Sequence, residues 1–371
     1  MNKILYFTNT FPKYRKELWK LLILSKKLDF HFYFSKKVFK DIEAVEIEKN
    51  FSLSELNHFH YIKNKIINNS IFWQKGKIMT LLKSNYSKVI FLGDMKIISN
   101  WIGIIICRLR GKQVYFWTHG IYGNELGLKK LFRLFFLSLA DGILLYENKA
   151  KKRLIKNGFL KSKLHVVYNS INLSNQTLIF KKLFKKKCQL NRKEIRNLLF
   201  VGRLTKLKKV DLIIRALYNL NRYKIKYKLK IVGDGKEKEN LKNLVDKLNA
   251  KNYIKFLDAI YEEDKLGALF LEADMLVSPG NVGLNAIHAL SYGTPILTHN
   301  NFINQMPEHE AIIENFNGVF HKEDNASSIM NKLEEWFSIS ESKNLRIKIR
   351  KKLIEKYNPE YQINIFERVL S

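Results

Sequence analysis

Three segments in the second half of the chain join glycines to basic and hydrogen-bonding side chains at spacings that suit a phosphorylated ligand. In Phe200-Val201-Gly202-Arg203-Leu204-Thr205-Lys206-Leu207-Lys208, an apolar run stops at a glycine, and a guanidinium and an ammonium follow. A diphosphate needs both its charges offset, and such a pair at a helix entrance does this without a metal. Two solvated basic residues would read the same way in so lysine-rich a chain. The second segment, Ile231-Val232-Gly233-Asp234-Gly235, has glycines that permit positive φ and close backbone approach; it could edge a nucleotide pocket or be a plain strand-to-helix turn. In the third, a strand-like run ends in Ser278-Pro279-Gly280 and a short helical pattern closes at Gly293-Thr294-Pro295. The amides of Asn281, Val282, Gly283 and Leu284 would form an anion site. His288 could then hydrogen-bond a sugar or ribose hydroxyl, or be a satisfied core histidine.

These segments need strands and helices to aim them, and the pattern supplies both. Strand-like runs are expected at 4–8, 30–34, 88–92, 113–118, 142–146 and 165–168, several of them continuously apolar, as strands covered on both faces should be. Helical patterns lie between them at 13–27, 98–109, 128–139 and 149–156. The alternation restarts with strands at 197–201, 228–232, 253–257, 275–278 and 295–298, and with helices at 210–220, 237–248, 265–272 and 284–290. Such alternation implies parallel sheets with right-handed crossovers. The expected organisation is a first domain at 1–175, a linker at 176–196, a second domain at 197–345 and C-terminal helices at 346–371. In open α/β sheets, ligands bind beyond the carboxyl ends of the strands, where all three segments fall.

With 371 residues, 46% hydrophobic, the chain can fill two cores. Its two cysteines, Cys107 and Cys188, show no pairing or zinc-ligand pattern, which points to a reducing compartment. The N-terminus reads as a buried strand rather than a leader, and the longest apolar stretches fall far short of the ~20 residues that cross a bilayer. A formal net charge of +32 suits either general lysine bias or an anionic lipid surface. Lysines are scattered and no nucleic-acid-binding signature occurs, so no nucleic-acid partner is expected. Segments 13–27, with Leu18, Leu21, Leu22 and Leu24 opposite Lys16, Lys20, Lys26 and Lys27, and 128–137 have the pattern of basic amphipathic helices. Either could pack on a sheet or rest on lipid.

The ordered set resembles glycosyltransferase family 4, the retaining group 1 enzymes of the GT-B fold. The matching pieces are Val201–Leu204 with Lys208, the Val232-to-Gly235 turn, Ala273-Asp274 with Pro279, Gly293-Thr294-Pro295, Pro307-Glu308 and Asn317-Gly318. In the first half they are Phe11-Pro12, Thr118-His119-Gly120 and Val167-Tyr168-Asn169-Ser170. The resemblance implies two Rossmann-like, doubly wound domains facing across a cleft, with a C-terminal helix crossing back to the first. It implies donor contacts at Gly202, Gly233, Gly235, Asn281, Val282, Gly283, Leu284, His288, Thr294 and Glu308, and acceptor-side contacts at Phe11, Pro12 and Asn169. Catalytic roles would fall to His119, Arg203 and Lys208. The family has two glutamates eight positions apart where this chain has Gly280 and His288; the loop 305–310 is a candidate substitute.

The function implied is retaining transfer of a hexose-type sugar from a nucleoside-diphosphate-sugar donor to a hydroxyl of a growing surface glycan, such as a lipid-linked lipopolysaccharide or capsule precursor. Arg203 and Lys208 would stabilise the leaving diphosphate. No Asp-x-Asp pair occurs, so the transfer is expected to need neither metal nor other cofactor. The expected setting is the cytoplasm, with the protein peripheral on the inner face of the membrane. A sugar-nucleotide epimerase and a catalytically inactive GT-B partner subunit are the alternatives.

Overall fold

The continuous apolar runs are strands of parallel sheets, and helices connect them. The structure, a computed structural model, describes residues 2–36, 44–68, 71–187, 194–224, 226–339 and 344–371. The chain divides into two units, Met1–Asn172 with Asn358–Ser371, and Leu173–Tyr357.

The first unit contains β1 (Asn2–Phe7), β2 (Leu28–Phe34), β3 (Phe59–Tyr61), β4 (Lys63–Asn68), β5 (Ile71–Lys75), β6 (Lys88–Leu92), β7 (Gln113–Thr118), β8 (Gly142–Leu145) and β9 (Leu164–Val166). Its parallel sheet runs β3-β2-β1-β6-β7-β8-β9, and β4 and β5 form a separate antiparallel hairpin. The helices are α1 (Lys16–Ile23), α2 (Ile47–Asn50), α3 (Leu53–Leu56), α4 (Lys77–Lys83), α5 (Ile98–Leu109), α6 (Gly127–Ser138) and α7 (Asn148–Lys156). Alternation along each strand feeds two cores. Tyr6, Phe30 and Phe32 pack with Phe11, Trp19 and Trp117 on one side, while Leu5, Phe7 and Phe91 pack with Leu81, Ile104 and Phe136 on the other. Leu18, Trp19 and Leu22 of α1 are buried in the first of these cores, so that amphipathic segment is a sheet-packing helix.

The second unit carries α8 (Leu173–Lys187), β10 (Arg196–Val201), α9 (Val210–Leu220), β11 (Tyr227–Val232), α10 (Lys238–Lys247), β12 (Ile254–Leu257), α11 (Glu263–Glu272), β13 (Met275–Ser278), α12 (Asn285–Ser291), β14 (Ile296–His299), β15 (Gly318–His321), α13 (Ala326–Ser338) and α14 (Leu345–Ile354). The sheet order is β12-β11-β10-β13-β14-β15, all parallel. Ile213, Ala216, Leu217 and Leu220 of α9 enter the core with Leu198, Phe200 and Ile231, the stripe that the 3.6-residue period requires.

Two boundaries differ from expectation. Residues 176–196, expected as a linker, begin inside α8, because Ile179 and Phe180 form an apolar stripe buried in the second unit. Phe180 stacks on Phe184 at 4.6 Å, and the Arg350 guanidinium lies 4.9 Å above the Phe180 ring. Residues 188–193, Cys188 among them, lie outside the described residues. The C-terminal helices at 346–371 do not return together. Helix α14 stays in the second unit, where Arg346 donates to Thr294 Oγ1 (3.0 Å) and to Ala273 O. Only α15 (Pro359–Leu370) joins the first unit, with Ile365, Phe366 and Leu370 in its core. Asn358 caps it, its Oδ1 accepting from Tyr361 N at 2.6 Å. No helix among the described residues is long and apolar enough to cross a membrane.

Candidate functional site

In the second unit the loops after β10 and β11 lie backbone against backbone. Gly202, Gly233 and Gly235 hold φ of 151°, 146° and 152°. A Cβ on Gly233 would come within 1.9 Å of Gly202 O, and one on Gly235 within 2.3 Å of Leu204 O. Leu204 N donates to Asp234 O (2.8 Å) and Glu237 N to Leu204 O (3.0 Å). The β11 turn therefore acts as a buttress that fixes Gly202, Arg203 and Leu204; a side chain on either glycine would push that loop out of place.

Lys208 ends the first loop, and its Nζ reaches Asn281 O (2.6 Å) and Asn281 Oδ1 (2.7 Å) in the third. Burial and the neighbouring Arg203 charge push this ammonium down to about 8, against the opposing influence of the Glu308 carboxylate. Lys209, one residue on, is paired with Glu323 (3.0 Å) and Asp324 (2.7 Å). The two lysines thus differ in kind. Lys209 is neutralised by carboxylates, whereas Lys208 is held by neutral oxygens, with Arg203 close enough to depress it. Glu308, buried on the turn Pro307–Ala311, supports the Lys208 charge.

The third loop is pressed against the first at Gly280. Its N–H donates to Lys208 O (3.1 Å), and a Cβ there would lie 2.0 Å from Leu207 O. The space that a glutamate would need is occupied by backbone. Val282 N, expected to be open to an anion, donates instead to Gln305 Oε1 (3.0 Å). Gln305 Nε2 donates in turn to Thr298 Oγ1 (2.8 Å) and His299 O (3.1 Å), so this side chain braces the loop. Gly283 has φ of 57°, and with Leu284 it leads into α12, whose first-turn amides have no acceptor within the helix. Asn285 Nδ2 ties α12 to Val201 O.

His288, on α12, has its Nε2 2.7 Å from Glu263 Oε1 and its ring 4.8 Å from Phe270. Tyr292 OH donates to the same Glu263 oxygen at 2.7 Å. Thr294, expected at the donor, is fully buried instead; its hydroxyl donates to Phe270 O (2.6 Å) and accepts from Arg346. It locks α11 and α14 to the sheet.

In the first unit His119 follows β7 and packs on the Tyr146 ring at 4.6 Å. Burial, then the Arg15 and Arg133 charges, push its imidazole down to about 4, so it is neutral at physiological pH. Arg15 is buried beside it. Its guanidinium donates to Tyr146 OH (3.0 Å) and Asn169 Oδ1 (3.2 Å) and lies 4.5 Å above the Trp117 ring. Asn169 is thus a buried partner of Arg15. Phe11, expected on the acceptor side, is fully buried and stacks on Trp19 at 4.6 Å, because the chain turns inward there. Pro12 is also buried, and its carbonyl accepts from Arg15 N at 3.2 Å. Arg15 and Glu263 had no motif to flag them, whereas Gln305 opens the loop 305–310 that stood as a candidate substitute.

Residues 181–356 match the family model of the group 1 glycosyl transferases. The match spans nearly all of the second unit. The chain is 34% identical over 161 residues to an uncharacterized 41.2 kDa protein in the cps region of Klebsiella pneumoniae, covering 41% of this chain and 40% of that one. It is 32% identical over 145 residues to an uncharacterized glycosyltransferase of Methanocaldococcus jannaschii, covering 37% and 36%. These alignments span about two fifths of the relatives' lengths. Over its whole length the fold is that of GT-B glycosyltransferases. The lipopolysaccharide outer core galactosyltransferase WaaB superposes with a TM-score of 0.72 at 15% identity, covering 99% of both chains. Anabaena HepE in complex with UDP and glucose gives 0.66 at 15% identity, covering all of both.

Proposed function

We propose that the protein is a glycosyltransferase that moves a hexose-type sugar, with retention, from a nucleoside-diphosphate donor to a hydroxyl of a surface-glycan precursor. The observation that carries this reading is the pairing of Lys208 and Arg203 at the carboxyl end of β10, inside the family-matched domain. Lys208 is held by neutral oxygens and partly desolvated, so a diphosphate would meet a cation with little carboxylate competition. As the sugar–phosphate bond breaks, negative charge grows on the leaving diphosphate, and fixed cations stabilise that charge more than the ground state. Because the cations come from the chain, the proposed transfer needs no metal. The neutral His119 is suited to accept or donate a hydrogen bond to a sugar hydroxyl.

The relative from a cps region and the resemblance to WaaB support a surface glycan as acceptor, and the HepE complex makes UDP-sugars the first donors to try. The exposed apolar residues around α6 support an acceptor met at a lipid surface and a cytoplasmic, peripheral enzyme. A thermal-shift screen against UDP-, GDP- and ADP-sugars tests donor binding; a ligand at ~100 times its Kd adds about 2.7 kcal/mol. Product analysis then separates a new glycoside from an isomerised donor. Gly280, where no side chain fits, favours one other reading, an inactive partner subunit. Donor binding without transfer to any lipid-linked acceptor would select it.

A further inference from the structure

We propose that Asp29, His31 and His58 form a binding site for one divalent transition-metal ion of the zinc class, at the outer edge of the first unit's sheet. Alternation along β2 puts Asp29 and His31 on the face opposite the Phe30, Phe32 and Phe34 core. The edge strand β3 brings up His58, just before it, and His60 within it, paired with Tyr33. One ligand atom from each of Asp29, His31 and His58 lies within 4.8 Å of the others.

The finer geometry suits a metal. His31 Nε2 is 3.3 Å from each Asp29 carboxylate oxygen. Two ligands bound at ~2.05 Å in a tetrahedral site stand about 3.3 Å apart. Ligating histidines in metal sites have their second nitrogen fixed by a carbonyl or similar partner. Both histidines meet that condition. His58 Nδ1 is 2.7 Å from Phe30 O, which leaves Nε2 with its lone pair, and His31 Nδ1 is 2.9 Å from His60 Nε2. The His31, His58 and Asp29 side chains are 15%, 23% and 31% exposed, shielded yet open to an entering ion. Two imidazoles and a carboxylate suit Zn²⁺, Ni²⁺ or Cu²⁺ better than Mg²⁺. The ion would clip β3 to β2. Lys3, opposite Asp29 in the register, works against a cation there. Without an ion, His31 bridges Asp29 and His60 by hydrogen bonds, and His58, held by Phe30 O, stands with its Nδ1 3.7 Å from Asp29 Oδ1.

The test uses full-length, tag-free protein stripped by chelator, titrated at pH 7.5 with Zn²⁺ by calorimetry and with Co²⁺ by absorption. The expected result is one saturable equivalent at micromolar metal, with the intense visible bands of tetrahedral cobalt. Asp29→Asn and His58→Gln should each weaken binding at least tenfold. His60→Ala should weaken it less, and Lys3→Gln should tighten it severalfold. His165→Gln, on β9 at the opposite edge of the sheet, should change nothing. Circular dichroism checks folding; were His58→Gln unfolded, the near-isosteric Asp29→Asn and the parent's cobalt spectrum decide. Absence of a saturable equivalent overturns the proposal and leaves the hydrogen-bonded cluster only. So does unchanged affinity in folded Asp29→Asn.

Discussion

His288 Nε2 and Tyr292 OH converge on a single carboxylate oxygen, Glu263 Oε1, each at 2.7 Å. The carboxylate comes from α11 and occupies the neighbourhood where the resembled family carries its second glutamate on α12. Burial pushes the Glu263 carboxyl up, but the hydrogen bond and charge of His288, with the Tyr292 bond, carry it below the usual carboxylate range. A depressed folded-state value means stability that is present above about pH 4.3 and lost as pH falls through the folded value. Glu263→Ala should therefore cost about 1–3 kcal/mol at neutral pH, since it leaves the buried Tyr292 hydroxyl and the half-buried His288 ring without their shared partner. The variant's melting temperature should fall less than the parent's between pH 5 and pH 3. If Glu263 also orients His288 for the donor, Glu263→Ala and His288→Ala should weaken nucleotide binding by similar factors, with Glu263→Gln in between.

Lys208 gives the proposed phosphate site a pH signature. Its ammonium is pushed down to about 8, whereas Lys209, paired with Glu323 and Asp324, is raised. A diphosphate binds the protonated form, so its Kd should rise about tenfold per pH unit once the pH exceeds about 8. Lys208→Arg keeps its charge and should flatten that profile, while Lys208→Met should weaken binding at every pH. Arg203→Ala should also weaken binding, each truncation by about 2–4 kcal/mol at most. The pH slope for stability has the same sign as in the carboxylate case, at higher pH. With the folded value below the unfolded one, the parent gains stability from Lys208 as pH rises from 8 towards 10. Calorimetric titration of the donor nucleotide from pH 7 to pH 9 checks the first effect; wild-type affinity in Lys208→Met and Arg203→Ala would remove both from the site.

Gly280 marks where this chain departs from the family pattern, and restoring the pattern should do harm. Any Cβ there meets Leu207 O at 2.0 Å, and the loop it would displace holds Lys208 against Asn281. Gly280→Ala should cost about 1–3 kcal/mol through overpacking. Gly280→Glu should cost more and should lower donor affinity rather than raise activity. Melting curves and nucleotide titrations of the two variants test this; a Gly280→Glu protein more active than the parent would show that the loop has room.

Most of the architecture was legible because parallel strands buried on both faces leave long apolar runs, as at 88–92 and 113–118, which the structure reproduces as β6 and β7. The short β3, the hairpin β4–β5 and β15 were not, since three to six residues with mixed polarity carry no clear period. The α8 segment was obscured by its lysines, although Ile179 and Phe180 supply the buried face. At the site, Gly202, Arg203 and Lys208 could be found because they follow one strand in sequence. Glu263 and Arg15 could not, because each reaches its partner across the fold, by 25 and 154 positions respectively. Thr294 and Phe11 sat in recognisable motifs, but those motifs describe packing.

The two basic amphipathic segments of the first unit separate cleanly in the structure, and that separation sets the last prediction. In α1 the apolar side is core, Lys16 Nζ donates to Asn50 Oδ1 at 2.9 Å, and the Lys20 ammonium lies 5.7 Å from the Phe51 ring centroid. In and around α6 the reverse holds. Leu126, Leu128, Leu131, Phe132 and Phe135 are all at least 58% exposed, although Phe136 and Leu137 already fix the helix to its core. Trp101 of α5 packs against Phe132 and Phe135, and Ile102, Ile105 and Leu109 of the same helix are exposed too. Lys129 and Lys130 flank it, while Arg133 is tied to Glu125 at 2.9 Å. A connected apolar surface rimmed by lysines is what an anionic lipid interface attracts, by burial of the rings and by charge. Co-sedimentation with liposomes of graded anionic content should rise with anionic lipid and fall with salt. Phe132→Ser with Phe135→Ser should reduce it at least tenfold, since each ring contributes about 1.5–3 kcal/mol when fully buried. Charge reversal at Lys129 and Lys130 should steepen the loss at low anionic content, and charge reversal at Lys16 and Lys20 should leave binding unchanged. Binding that follows Lys16 and Lys20 instead, or none at any composition, would return the α6 surface to another partner.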